Sequence, residues 1–529
     1  MGECYITRRG TKTGGATEQL GIYPTGNDGR PMGNVTVLDN VANLSKYSFT
    51  ENSNVLTVAL PENLRGLSDY CFQKCTGLQN ISIPNKITTI PQYCFNGCTS
   101  LSRVVLPKGL TTINQYAFQN CTNLYDMVVP DEINSLIVQD NAFSGCQLGN
   151  ETVSKLATLC SGTIYSNAFA KLTSITEITA SYTTDYYFRE CTNLKKATIL
   201  NPLTNGKMGQ NVFNGCTNLT TVVLPDNATV IDNSMFYGNT KLSNVNIPAS
   251  LATIGSSAFY NTAIDNIILP DSLKTINSSA FSDCNKLSTI NIPDAVTSID
   301  SSAFYNCSSL TTVTVGENTK FTLGQYAFRS SGITDESVKN ILAHASSINS
   351  HIFDNCSSLI NLVVANLWTN MFSNCTNLKT VKTSEESTFT STGDNIFYND
   401  TSLATAFLYG GYTTIGRNIF YNCTALKTVY LSSSITTATS NSLTATSSSY
   451  YIFQGCTNLE DVQLGQDWNM SLRLNVSNKI TAESMVAMFN SLKDLTGETA
   501  KTLTLGSVNL AKLTDEQKQI ATDKNWTLA

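Results

Sequence analysis

The sequence predicts an α/β repeat solenoid, a stack of about eighteen short coils, on three observations. The first is a phenylalanine followed three residues later by cysteine, with an aliphatic residue close behind, as in Phe72-Gln73-Lys74-Cys75-Thr76-Gly77-Leu78, Phe95-Asn96-Gly97-Cys98-Thr99-Ser100-Leu101 and Phe118-Gln119-Asn120-Cys121-Thr122-Asn123-Leu124. The second is its recurrence: the phenylalanine anchor stands at 49, 72, 95, 118, 143, 169, 188, 213, 236, 259, 281, 304, 328, 353, 372, 397, 420 and 453. A period in the twenties belongs to stacked coils, each of which buries its apolar face only against its neighbours. The third is composition, with only 14% charged residues where soluble domains carry roughly 25%. Threonine, serine and asparagine supply the polar surface instead. A length of 529 residues would otherwise suggest about three or four globular domains, but a repeat array grows in one dimension.

Each part of the unit has its own signal. From Leu78 the alternation Ile81-x-Ile83 predicts a short strand, and Pro84 ends it because proline cannot donate to a ladder. Pro107, Pro130, Pro225, Pro248, Pro270 and Pro293 repeat that stop. Ile87 and Ile90 predict a second short extended edge, and the Ala/Cys-Phe segment a helical turn on the opposite side. The core is then a continuous column of Ile, Leu, Val and Phe.

The unit Leu-x-x-Ile-x-Ile-Pro-x-x-Leu-x-x-Ile-x-x-x-Ala-Phe-x-x-Cys-x-x-Leu resembles the BspA-like class of leucine-rich repeats, found on bacterial surface proteins. Asn246-Ile247-Pro248-Ala249-Ser250-Leu251-Ala252-Thr253-Ile254-Gly255-Ser256-Ser257-Ala258-Phe259 matches it closely. The resemblance covers about residues 41 to 465. It implies a leucine-rich-repeat solenoid that acts as a non-enzymatic adhesion protein, outside the cell or on its surface, contacting host or cell-surface protein or glycan.

Three divisions are expected: a non-repeat segment 1–40 rich in Gly and Thr, the solenoid 41–471, and a capping or docking module 472–529. In the last, Met485, Met488, Phe489, Leu492 and Leu495 predict an amphipathic helix from near Thr481, Leu503-Thr504-Leu505-Gly506 a strand, and Thr514-Asp515-Glu516-Gln517 the capping box of a second helix. A longer repetition underlies the short one. Glu151-Thr152-Val153-Ser154-Lys155-Leu156-Ala157 parallels Glu336-Ser337-Val338-Lys339-Asn340-Ile341-Leu342 at an offset of 184 to 185 residues, and each reads as a short inserted helix. The C-terminal segment also resembles the ending of leucine-rich proteins of gut Firmicutes and their prophages. That resemblance implies the alternative of a phage tail-associated receptor-binding or structural virion protein.

Twelve of the sixteen cysteines occupy the slot three after the anchor, and Asn52, Leu172, Asn239, Thr262, Ser331 and Asp400 hold it in the other coils. Such a slot wants a small or turn-bonding side chain, so the thiols read as packing residues. The sharper alternative is Cys71, Cys75, Cys94 and Cys98, where two adjacent coils repeat Cys-x3-Cys and stacking would gather four sulfurs for zinc or a disulfide. That spacing differs from Cys-x2-Cys, and alanine fills the Cys71 slot at Ala117, Ala258, Ala280 and Ala303.

The outward strand positions are mostly small and polar: Asn80, Ser82, Thr221, Asn244, Asn291 and Thr312 are examples. Phe407 and Tyr430 are exceptions on neighbouring coils, with Tyr409 and Tyr412 nearby, and these four form the candidate ligand-binding patch. The alternative is that the rings pack against the Ser/Thr-rich insertion 432–449. Arg103, Asp126, Lys196, Lys382 and Asp461 also point outward as isolated charges.

Other classes find little support. A net charge of -6 offers no footprint for phosphate backbones, so nucleic acid is not an expected partner. No apolar run approaches the length that spans a bilayer, and Met1 to Gly10 lacks the apolar stretch of a signal peptide. The two histidines, His344 and His351, read as surface or packing residues, since the nearby Cys356 is a ladder cysteine, and acids are too sparse for a glycosidase pair. The expectation is no catalysis, no cofactor and no metal.

Overall fold

The computed structural model describes residues 4–6, 33–160, 165–385, 387, 389–439 and 452–529. The chain divides into two compact units, Met1–Ile264 and Asp265–Ala529, and each is a stack of parallel coils. In the first, strands Cys4–Ile6, Asn34–Val37, Thr57–Ala59, Asn80–Ser82, Arg103–Val105 and Asp126–Val128 pair in that order. Helix α1, Asn150–Leu159, follows, and the sheet resumes as Glu177–Ala180, Lys196–Ile199, Thr221–Val223 and Asn244–Val245. In the second, Asn266–Ile267, Thr289–Ile292 and Thr312–Val315 precede helix α2, Asp335–His344. A five-stranded sheet, Asn361–Val364, Thr380–Thr383, Thr405–Leu408, Thr428–Leu431 and Asp461–Leu464, follows.

Both helices lie where the sequence parallel places them. Register explains the alternation: Ile81, Val104 and Met127 align across three strands and are buried, while their neighbours in sequence point out. The second extended edge is present as Thr89–Ile90, Thr112–Ile113 and Ile137–Val138, with isoleucine or valine inward. Between the two edges the anchor phenylalanines stack in columns. Phe72, Phe95 and Phe118 are spaced 5.2 and 5.1 Å in the first unit, and Phe281, Phe304 and Phe328 are spaced 5.4 and 5.0 Å in the second. Such ring pairs contribute about 0.5–1.5 kcal/mol each beyond area burial.

The anchor segment is not a helical turn. In every coil the residue two after the phenylalanine has positive φ, and so does the residue two before it wherever that residue is described. The backbone alternates accordingly. Cys71, Gln73 and Cys75 donate N–H within their own coil, to Ser68, Tyr70 and Phe72, whereas Tyr70, Phe72 and Lys74 donate to Gln92, Cys94 and Asn96 of the next coil. A helix would turn every donor inward; two left-handed residues per coil direct every second donor to the neighbour. Asparagine recurs at both slots and glycine at the second, because these two adopt that conformation most readily.

The ends differ from the expected divisions. Asn34–Val37 and Cys4–Ile6 already pair within the ladder, with Val35 and Val37 buried, so the stacking begins before residue 41. At the other end Leu472–Arg473, Lys501–Thr504 and Trp526–Leu528 form a parallel sheet, and helix α3, Ala482–Ser491, lies between the first two strands in sequence. The stacking therefore continues through 472–529, where a helix stands in each coil in place of the first strand. A short α4, Ser507–Leu510, and α5, Asp515–Thr522, complete it, and Thr514 and Gln517 form the capping box. Residues 440–449 of the Ser/Thr-rich insertion lie outside the described residues.

Candidate ligand-binding face

Two outward rows run across the five-stranded sheet of the second unit. Asn361, Thr380, Thr405, Thr428 and Asp461 are in register, and so are Val363, Lys382, Phe407, Tyr430 and Gln463. The first row is polar, with Thr380 Oγ1 donating to Asn361 Oδ1 at 2.7 Å. The second is apolar and aromatic around one cation. Val363 is 62% exposed and Ile360, at the head of its strand, 43%.

Tyr409 leaves the end of its strand and places its ring 6.0 Å from Phe407 and 4.8 Å from Tyr430. The Lys382 ammonium lies over it, 5.3 Å from the ring centre. Partial burial raises the Tyr430 phenol, with Tyr409 and Glu385 adding to the rise, so its hydroxyl stays a donor at neutral pH. Phe407, Tyr409 and Tyr430 are thus one half-exposed cluster.

Tyr412 is not part of it. Its ring is fully buried and its hydroxyl donates to Ala365 O at 2.9 Å. A tyrosine reaching across two coils to a backbone carbonyl is a core brace, and no ligand can touch it. Val363 and Ile360 do belong to the face. They were legible only through the register of strands whose spacing is irregular.

The outward charges are not isolated either. Arg103 pairs with Asp126 of the next coil, and Lys196 Nζ lies 2.7 Å from Glu177 Oε1. At this exposure such pairs are worth about 0–1 kcal/mol. Asn246 and Asn291 are also occupied: each side-chain amide accepts from and donates to the backbone of the preceding coil, at Leu224 and Leu269. The polar strand face is therefore largely bonded to itself.

None of the fifteen cysteines whose side chains are described is in a disulfide. The slot after each anchor has a specific use: Cys75, Cys98, Cys121 and Cys146 each donate S–H to the carbonyl of the preceding coil's phenylalanine, at 2.7 to 3.1 Å. Burial pushes the Cys75, Cys191, Cys356 and Cys456 thiols up to about 12, which keeps them protonated as donors and inert as nucleophiles. Among the described residues no group of three or more His, Cys, Asp or Glu side chains could hold a metal ion, the Cys71, Cys75, Cys94 and Cys98 set included. His344 Nδ1 bonds Asn340 O at 2.8 Å within α2, and His351 packs against Tyr326 at 4.8 Å.

A model of the BspA-type leucine-rich repeat region matches residues 28–150, 137–239, 162–288, 206–334 and 322–460, with six copies. The chain belongs to the BspA-type leucine-rich repeat family. Among solved structures, a leucine-rich repeat protein of Bacteroides ovatus is similar at 22% identity, covering 81% of this chain and 94% of its own, with a TM-score of 0.40. A leucine-rich cell surface protein of Faecalibacterium prausnitzii is similar at 19% identity, covering 82% and 87%, with a TM-score of 0.26. No curated protein matches in sequence. Among the described residues no helix of this BspA-type chain is long and apolar enough to cross a membrane.

Proposed function

We propose that this BspA-type protein is a non-enzymatic adhesion protein, displayed outside the cell, that binds host or cell-surface macromolecules through its strand face. The observation that supports this most directly is the in-register row Val363, Lys382, Phe407 and Tyr430, with Tyr409 over it. Clustered apolar and aromatic groups on a largely polar face cost solubility, and rigid rings give large contact area at little entropic cost. Lys382 supplies orientation for a polar or anionic group of the ligand.

The test is binding of the intact chain to a glycan array and a panel of host surface proteins, beside Phe407→Ala/Tyr430→Ala. Both rings are half-exposed, so the variant keeps the thermal midpoint of the wild type. Affinity for the ligand is expected to fall at least tenfold, about 1.4 kcal/mol. An intact chain that binds nothing on either panel would sink the adhesion reading in favour of a structural or virion component. Equal binding by chain and variant would move the site off this patch.

A further inference from the structure

We propose that Tyr47, Tyr70, Tyr93 and Tyr116, in the first unit, form a second binding surface, one that takes an oxygen-rich polysaccharide chain. The proposal does not rest on the aromatic row of the second unit.

These tyrosines fill the slot two before the anchor, with φ of 65, 60, 55 and 59°. A bulky side chain in that region is a genuine outlier. Other coils hold Asn141, Asn167, Asn211, Asn370, Asn395 and Asn418 at the same slot, and asparagine reaches this conformation far more easily. Ring stacking offsets part of the strain, but asparagine would avoid it. Stability alone therefore does not select four successive tyrosines, and an outlier kept through four coils points to a task.

The geometry says what kind of ligand. Tyr47 and Tyr70 lie 5.1 Å apart with their planes tilted by 31°, and the next two pairs stack at 4.9 and 4.6 Å, so the faces between rings are spent on one another and a ligand meets edges and hydroxyls. Ring edges carry the positive end of the quadrupole. Lys46 adds an ammonium 5.1 and 5.0 Å from the Tyr47 and Tyr70 ring centres. Amides flank the row: Gln92 donates to Gln115 at 3.4 Å and Gln115 to Asp140 at 2.9 Å, while Asn96 donates to Gln119 at 3.0 Å on the other flank. Each donating amide is held by one bond and retains a second N–H. Of the carboxylates beside the row, Asp140 is engaged by Gln115 and Glu51 by Lys74 at 3.0 Å, while Asp69, next to Tyr70, remains to accept a ligand hydroxyl. The surface is dense in donors, which suits ligand oxygens.

It also repeats by translation. Four coils present the same ring and hydroxyl at steps of 4.6 to 5.1 Å, and a ligand gains from that only if it repeats as well. A polysaccharide chain does, and its contacts then add as in any multivalent engagement.

The test is affinity electrophoresis of the full chain in gels holding a neutral polymer, soluble β-glucan or xylan, or an acidic one, polygalacturonate or alginate. Retardation in at least one gel is expected. Tyr70→Asn/Tyr93→Asn, which installs the residue of other coils, should lose it at least tenfold with no drop in thermal midpoint, while Phe407→Ala/Tyr430→Ala keeps it. Lys46→Gln should weaken only the acidic arm, which tells charge recognition from hydroxyl recognition. If the asparagine variant unfolds, Tyr70→Phe/Tyr93→Phe keeps the stack, removes two hydroxyls and should show a loss of the same kind. No retardation of the wild type in any gel, or unchanged retardation of a folded tyrosine variant, overturns the proposal.

Discussion

Asn150 Oδ1 accepts the backbone N–H groups of Thr176 and Glu177 at 2.7 and 3.3 Å, and Asp335, at the same place in α2, accepts those of Ile360 and Asn361 at 3.0 and 2.9 Å. A helix standing in for a strand offers no carbonyl row to the next strand, whose first donors would be left bare. The first side chain of each helix supplies the missing acceptor. Asp335→Ala should cost about 1–3 kcal/mol, and amide exchange at Ile360 and Asn361 should accelerate ahead of the rest of the strand. Asp335→Asn should retain most of the protection. Unchanged exchange in the alanine variant would mean water satisfies these donors equally well.

The cysteine column makes a prediction about the coils that lack it. Asn239 occupies the slot fully buried, and neither its Nδ2 nor its Oδ1 has a partner. Restoring the ladder residue in Asn239→Cys removes two stranded polar atoms and should stabilise by about 1–3 kcal/mol. Cys98→Ala, which removes the S–H bond to Phe72 O, should cost about 1 kcal/mol. Denaturant midpoints measure both, and a destabilised Asn239→Cys would refute this account of the slot.

Asp400 holds the same slot. Its Oδ1 accepts from Cys375 N at 2.8 Å, its Oδ2 has no partner, and burial lifts its carboxyl well above the usual range. The folded state therefore keeps a proton that the unfolded chain releases near pH ~4. The stability from this group is fully present below that point and is lost as pH rises toward the folded value. Asp400→Asn cannot ionise, so its thermal midpoint should gain on the wild type from pH 4 to pH 8. A constant difference would show that Asp400 titrates normally.

Lys524 closes the C-terminal end of α3. Its Nζ donates to the carbonyls of Phe489, Asn490 and Leu492 at 3.1, 2.8 and 2.9 Å, groups that a helix leaves unpaired and at its negative pole. Lys524→Met should cost about 1.5–3 kcal/mol, seen as loosened amide exchange in 482–529 with the rest of the chain unaffected. Global destabilisation instead would mean that these last coils do not open independently.

Much of this was legible without coordinates because a repeat states its own period. The anchors, the prolines that end strands, both inserted helices and the Thr514 capping box were read from spacing alone. The candidate patch was read less well. Phe407 and Tyr430 face outward by alternation, but Tyr412 lies beyond the strand, where alternation no longer says which way a side chain points. The left-handed pairs around the described anchors had a signal, asparagine at two fixed slots and glycine at the second, that the seven tyrosines in the first slot of the sequence obscured.

The sequence by itself determined that the chain stacks coils and which residues fill their core, because a short repeat with one apolar face can bury it only against its copies. The tertiary structure alone decided what the polar remainder does. Whether Asn246 is a free surface amide or a backbone clamp, whether Arg103 is solvated or paired with Asp126, and whether a cysteine packs or donates all depend on which coil lies alongside and in what register. Those contacts join residues some 19 to 36 positions apart, and at that range the side-chain partner is set by the stacking rather than by any local preference of the chain.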